Sequence, residues 1–185
     1  INVSRVLKTL DVDSTALGFS GGFPGDFIAQ TLEDSNIQSD FVQVDEDTRI
    51  NVKLKSGQET EINAPGPKVT HAQFEQLLSQ IRRTTKDDIV IVAGSVPNSI
   101  PSDAYAQIAQ ITEKTGAQLV VDAEKDLVDT VLPYRPLFIK PNKDELEVMF
   151  NTTVKSDEDV IKYGTEILKK GAQSVIISLG GDGAI

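Results

Sequence analysis

From residue 70 to the end of the chain, apolar positions alternate between helical spacing and short unbroken runs. In THAQFEQLLSQIRRTT, Phe74, Leu77, Leu78 and Ile81 share one helical face, and Thr70 and Gln73 have the spacing of a capping box. DIVIVAGS then reads as a fully buried strand. SDAYAQIAQITEKTG predicts a helix capped at Ser102 and closed at Gly116, and AQLVVDAE predicts the next strand. A short helix in DLVDTVL leads to strand PLFIKP and helix NKDELEVMF. SDEDVIKYGTEILKKG is a helix capped at Ser156 and ended by Gly171, followed by strand QSVIISL. Upstream, a helical pattern opens at Ile1, STALGFS reads as a strand, and the glycine-rich joint GGFPGDF leads into a helix carrying Phe27, Ile28 and Leu32. Strands alternating with helices across short joints predict an α/β fold, a doubly wound and mostly parallel sheet flanked by helices.

Open sheets of this kind bind ligands beyond the carboxyl ends of their strands. The unusual residues lie there: AGSVPNS after one strand, Asp122 after the next, KPN after the third and SLGGDG after the fourth. These four ends are expected to line one crevice.

Residues 39–64 follow another period. SDFVQVDEDTRINVKLKSGQETEINAPGP has alternating runs, a turn at Ser56 and Gly57, and no helix between, which predicts an antiparallel hairpin or small sheet. In TRINVKL a period of two sends Arg49, Asn51 and Lys53 to one face and Ile50, Val52 and Leu54 to the other. The second face is expected to bury, and the first offers two cations and an amide to an anion. NAPGP returns the chain to the main body, so the segment reads as a β lid between residues 1–38 and 65–185.

Composition narrows the chemistry. With 18 Lys and Arg against 28 Asp and Glu, the net charge is −10, which disfavours a general nucleic-acid binder or an anionic membrane surface as partner. Zero cysteines exclude disulfides, thiolate metal sites and thiol nucleophiles, and suit a cytoplasmic protein. His71 is the single histidine, and its place in THAQ reads as the exposed first turn of a helix. No run reaches the ~20 apolar residues of a membrane span, and residues 1–20 lack a signal-peptide pattern.

In IKPNKDE, Lys140 ends a strand and Pro141 stops it, while Asn142 and Glu145 stand three apart at a helix start. Asn142 can cap that helix and Glu145 can complement its dipole. Alternatively, Lys140 offers its charge to a phosphate, and Asn142 with Glu145 holds a magnesium ion through oxygens and water. SLGGDG reads either as a tight turn or as a loop whose amides approach a phosphate. It is neither the dinucleotide fingerprint nor a Walker A loop. GFSGGFPGDF reads either as a tight strand-to-helix turn or as a wall beside a sugar site.

Taken in order, these pieces resemble the PfkB-type, ribokinase-like carbohydrate kinases, and within them the 1-phosphofructokinases and tagatose-6-phosphate kinases. INVSRVL is similar to the segment just after the family's Gly-Gly-Lys-Gly element, which puts Asn2 at a sugar contact. TRINVKL and TEINAPGP look like the lid and its return, which implies substrate binding by Arg49, Asn51 and Lys53. KPNKDE matches the family's N-x-x-E element, implying that Asn142 and Glu145 serve magnesium and phosphate and that Lys140 lies near the nucleotide phosphates. SLGGDG resembles the nucleotide-proximal loop, which implies roles for Ser178, Gly180, Gly181 and Gly183. One departure is Asp11, where the family pattern has Gly or Ser.

The resemblance implies an α/β kinase domain in residues 1–38 and 65–185, interrupted by the lid at 39–64. It implies ATP and Mg2+ as cofactors, a sugar phosphate as substrate and a homodimer through the lid as a possible assembly. The activity implied is in-line transfer from ATP to fructose 1-phosphate, giving fructose 1,6-bisphosphate. Tagatose 6-phosphate as acceptor is one alternative, and a non-catalytic nucleotide or sugar-phosphate binding domain is another. The family's Gly-Ala-Gly-Asp-like element, with its aspartate base, is expected beyond Ile185, and Gly-Gly-Lys-Gly before Ile1. Residues 1–185 alone are therefore expected to be inactive and marginally stable.

Overall fold

The computed structural model describes residues 1–56, 58–94, 96–122 and 125–185. They form two compact units: Ile1–Leu77 with Pro97–Ile100, and Leu78–Val96 with Pro101–Ile185. Among the described residues no helix is long and apolar enough to cross a membrane.

The first unit opens with α1 (Asn2–Thr9), then β1 (Thr15–Ser20), α2 (Gly22–Asp34) and β2 (Gln38–Gln43). β1 and β2 pair in parallel, from Thr15 opposite Gln38 to Ser20 opposite Gln43. Ala16, Leu32 and Ile37 form its core, with Ile28 and Phe41 packed against them, while Phe27 of α2 is exposed. The antiparallel pair is β3 (Asn51–Ser56) with β4 (Gln58–Asn63), in a register that sets Val52 opposite Ile62 and Lys53 opposite Glu61. The stretch expected to form the lid therefore divides. Residues 39–43 belong to the parallel sheet, where they pair with β1 and Phe41 packs onto the Ala16, Leu32 and Ile37 core, and the hairpin proper starts at Asn51. Ser56 ends β3, and Gly57, the other residue of the expected turn, lies outside the described residues.

The hairpin corrects a second expectation. Ile50, Val52, Leu54 and Ile62 are between 42% and 57% exposed, so its apolar face is not buried within this chain.

α3 (His71–Ile81) comes next, with Phe74, Leu78 and Ile81 buried. The capping box at its start is present: Thr70 N–H donates to Gln73 Oε1 at 2.8 Å, and Gln73 N–H donates to Thr70 Oγ1 at 3.3 Å. His71 is exposed, as expected for that turn.

The second unit alternates β5 (Ile89–Ala93), α4 (Ala104–Thr115), β6 (Gln118–Asp122), α5 (Lys125–Val131), β7 (Phe138–Ile139), α6 (Lys143–Phe150) and α7 (Asp157–Lys170). β5, β6 and β7 form one parallel sheet in that order. Val121, Val128, Val131, Ile139, Leu146 and Ile167 are fully buried between this sheet and its helices. The apolar run of β5 predicts complete burial, and the structure corrects this. Among the described residues β5 is an edge of its sheet, paired with β6, and Ile89, Ile91 and Ala93 are exposed. The α4 cap also shifts, from Ser102 to Asp103, whose side chain makes no capping bond. Ser156 does cap α7, accepting from Asp159 N–H at 3.3 Å.

The last expected strand runs parallel to β7 through isolated bridges, Ile139 with Val175 and Asn142 with Ser178. Prolines at 136 and 141 bracket β7 and offer no N–H, which keeps this ladder short.

Candidate functional site

Parallel pairing sets the carboxyl ends of the second unit's strands side by side. Ala93 lies opposite Asp122, so Gly94 follows β5 where Asp122 ends β6, and the Lys140 N–H donates to the Val121 carbonyl at 3.1 Å. The Lys140 ammonium sits 3.2 Å from Asp122 Oδ1, each side chain about two-fifths exposed. Sequence reasoning singled out Asp122 as a strand end but did not pair it with Lys140; an acidic residue closing the buried run LVV was the available signal.

Tyr105 of α4 reaches the same edge, and sequence reasoning gave no sign of it. Its hydroxyl donates to the Gly94 carbonyl at 2.9 Å. Burial, with the Asp122 carboxylate adding to it, pushes the Tyr105 phenol up to about 12. The folded state thus holds this proton more tightly than the unfolded chain, whose tyrosines titrate near ~10. The resulting stability is present below about pH 10 and is lost as pH climbs from there towards about 12. Urea unfolding across that window is expected to show a shallower alkaline decline for Tyr105→Phe than for the parent. Equal declines would contradict it.

Asn142 caps α6 in a full capping box: Glu145 N–H donates to Asn142 Oδ1 and Asn142 N–H donates to Glu145 Oε2, both at 2.8 Å. Ser178 is stitched to this cap, its carbonyl accepting from Lys143 N–H at 3.1 Å and its N–H donating to the Pro141 carbonyl at 3.0 Å. The chain then reverses. Ile177 and Ile185 exchange both backbone bonds, Leu179 N–H donates to the Gly183 carbonyl at 2.8 Å, and Gly180–Asp182 form one 3-10 turn. SLGGDG is therefore a tight hairpin reversal, with Gly180 at φ 64 and Gly183 at φ 93. Among the described residues, and apart from each glycine's own chain neighbours, no heavy atom lies within 4 Å of where a Cβ would stand on Gly180, Gly181 or Gly183. Lys140, Asn142, Glu145, Ser178 and this open turn are thus gathered at one end of the second unit.

The other expected site residues lie in the first unit. Asn2 is the first residue of α1, Arg49 lies two residues before the start of β3, and Asn51 and Lys53 lie on β3; all four are exposed. Asp11 has φ 56, a left-handed conformation most easily taken by glycine, one of the two residues that the family pattern has at this place. The glycine-rich joint after β1 is a close-packed turn. A Cβ on Gly21 would strike the carbonyl oxygens of Val44 and Glu46, and one on Gly22, which has φ 59, would strike the Asp47 carboxylate.

A comparison with protein families matches residues 1–185 to the pfkB family carbohydrate kinases. The chain is 43% identical, over 185 residues, to the 1-phosphofructokinase of Bacillus subtilis strain 168, covering all of this chain and 61% of that protein. It is 37% identical over 186 residues to the D-tagatose-1-phosphate kinase of Bacillus licheniformis, again covering 100% and 61%. Among solved structures, a provisionally assigned phosphofructokinase from Staphylococcus aureus shares 79% identity with a TM-score of 0.86, over 100% of this chain and 60% of that one. The chain thus spans about three fifths of the length of these relatives. With parallel sheets flanked by helices, a small antiparallel pair and a match along its full length, this chain belongs to the pfkB family of carbohydrate kinases and has its ribokinase-like fold.

Proposed function

We propose that the intact protein containing residues 1–185 transfers the γ-phosphoryl group of ATP to fructose 1-phosphate, forming fructose 1,6-bisphosphate and ADP. The observation that carries this reading is the cluster at the strand ends of the second unit, where Lys140, the Asn142–Glu145 cap and an unobstructed glycine turn meet. The 1-phosphofructokinase relative supports the choice of acceptor.

The residues present fit the nucleotide and its ion. The space that a Cβ would fill at Gly180, Gly181 and Gly183 is open, which suits close approach of phosphate oxygens to backbone. Glu145 Oε2 is engaged by the Asn142 amide, and no group of three or more acidic or histidine side chains forms a cage among the described residues. Mg2+ suits such sparse ligation, since it keeps several waters and binds through one or two carboxylates with substrate phosphates. Asn142 and Glu145 would hold it through water, and its charge would offset that gathering on the transferred phosphoryl group.

In this reading, Lys140 neutralises the nucleotide phosphates, with Ser178 and the glycine turn beside it. Arg49 and Lys53 hold the phosphate already on the sugar, and Asn51 and Asn2 contact the sugar. The acceptor hydroxyl gives up its proton to an aspartate proposed to lie outside residues 1–185, and its oxygen bonds to the γ-phosphorus as the bond to ADP breaks. Positioning and charge neutralisation supply the rate.

Tagatose 1-phosphate is the nearest competing acceptor, on the strength of the B. licheniformis relative, and tagatose 6-phosphate is a second. Assayed side by side with ATP and Mg2+, fructose 1-phosphate is expected to give the highest kcat/KM. A higher value for either tagatose phosphate would reassign the substrate. Nucleotide binding without phosphoryl transfer to any of the three would favour a binding domain.

A second copy of the protein is proposed to cover Ile50, Val52, Leu54 and Ile62, an apolar face exposed on an otherwise polar hairpin. Sedimentation equilibrium is expected to give a dimer for the intact protein and a monomer for Val52→Asp; a monomer at every concentration for the parent would remove the proposal. ATP dependence and the lack of cysteine favour a cytoplasmic location, which cell fractionation would check.

A further inference from the structure

The hairpin's polar residues need a fixed aim to hold an anion, yet both of its faces are exposed at Asn51, Val52, Lys53 and Leu54. A two-stranded ribbon has little rigidity of its own in water. Its direction must therefore be set at its root, where residues 44–48 cross the Gly21–Gly22 turn.

That crossing is clasped. Gly21 N–H donates to Thr48 Oγ1 at 3.0 Å, and Thr48 N–H returns a bond to the Gly21 carbonyl at 2.9 Å. Val44 N–H donates to the Ser20 carbonyl at 2.9 Å, which extends the β1–β2 pairing to the edge of the clasp. On the return side, Lys68 N–H donates to Glu46 Oε2 at 2.7 Å, so the segments entering and leaving the hairpin are tied to each other. The absence of side chains at Gly21 and Gly22 is what lets residues 44–47 lie this close. Thr48 is half-buried, and the next residue, one peptide unit away, is Arg49.

We propose that Thr48 is a positioning residue for substrate binding: by clasping Gly21 through both its hydroxyl and its amide, it fixes the place from which Arg49 extends towards the sugar phosphate. The inference rests on the reading of Arg49 as the cation that holds that phosphate. The hydroxyl is the part of the clasp open to mutation, because the amide bond survives any substitution but proline. Threonine suits the position because its branched Cβ restricts the side chain to few rotamers.

The test compares Thr48→Val, Thr48→Ser and Arg49→Ala in the intact protein, with KM measured separately for fructose 1-phosphate and ATP. Losing one neutral hydrogen bond from the root is expected to raise KM for fructose 1-phosphate roughly three- to tenfold in Thr48→Val, with KM for ATP within about twofold. Thr48→Ser, which keeps the hydroxyl, should bring the value back to within about twofold of the parent. A general loss of structure would move both KM values and would not be rescued by serine. Thr48→Ala removes the hydroxyl without adding apolar bulk and replaces Thr48→Val if that variant does not fold. The positioning role is overturned if Arg49→Ala raises KM for fructose 1-phosphate while the hydroxyl-free variant leaves it unchanged. It is also overturned if the serine variant behaves like valine. A flat response to Arg49→Ala instead overturns the reading of Arg49 itself.

Discussion

Arg49→Ala in the intact protein is expected to raise KM for fructose 1-phosphate by roughly thirtyfold or more, with KM for ATP within about threefold. Arg49 is exposed beside a hairpin whose opposite face is apolar, in a chain with a net charge of −10. In so acidic a protein, a dianionic substrate needs local cations to overcome the general repulsion. A guanidinium can give a phosphate two parallel hydrogen bonds, and each hydrogen bond to a charged group contributes about 1.5–3 kcal/mol. Arg49→Lys retains the charge but not the paired geometry and is expected to recover only part of the loss. Equal rises in both KM values would remove Arg49 from the sugar-phosphate site.

The second large effect belongs to the nucleotide side. Lys140→Met is expected to lower kcat/KM for ATP by about a hundredfold while changing the unfolding free energy by less than about 1 kcal/mol. The two magnitudes separate the competing roles of this side chain. Its bond to Asp122 is a half-exposed ion pair at 3.2 Å, and such pairs contribute little to stability. A lysine facing the phosphates of a reacting nucleotide contributes far more, because the charge it offsets grows in the transition state. A variant that loses stability but keeps its ATP kinetics would make Lys140 a structural ion-pair partner of Asp122.

Much of this architecture is legible in the sequence. The three-residue spacing of Asn142 and Glu145 predicts a helix start capped by Asn142, the spacing of Thr70 and Gln73 predicts a capping box, and the period of two in TRINVKL predicts the hairpin, because all three depend on contacts between chain neighbours. Exposure is the least legible property. IVIVA and the Ile50, Val52 and Leu54 stripe both look buried by pattern, yet among the described residues β5 is a sheet edge and the hairpin face is open. Local periodicity reports that a face is apolar and is silent on what covers it. The lysine and aspartate that meet at 3.2 Å are 18 residues apart in the chain, and Thr48 and Gly21 are 27 apart. The acid that closes LVV marks Asp122 but not its partner, and nothing in the sequence marks Thr48, since each pairing depends on how parallel strands or crossing loops come into register. SLGGDG shows a further limit: a tight turn and an open loop for phosphate proved to be compatible descriptions of the same four glycine-rich residues after Leu179.

The most direct measurement is phosphorus NMR of a reaction containing the intact protein, ATP, Mg2+ and fructose 1-phosphate. The expected spectrum shows ADP appearing together with a second phosphomonoester on the sugar, at the rate at which fructose 1-phosphate is consumed. Persistence of fructose 1-phosphate and ATP, with a folded protein that binds both, would contradict phosphoryl transfer as its function.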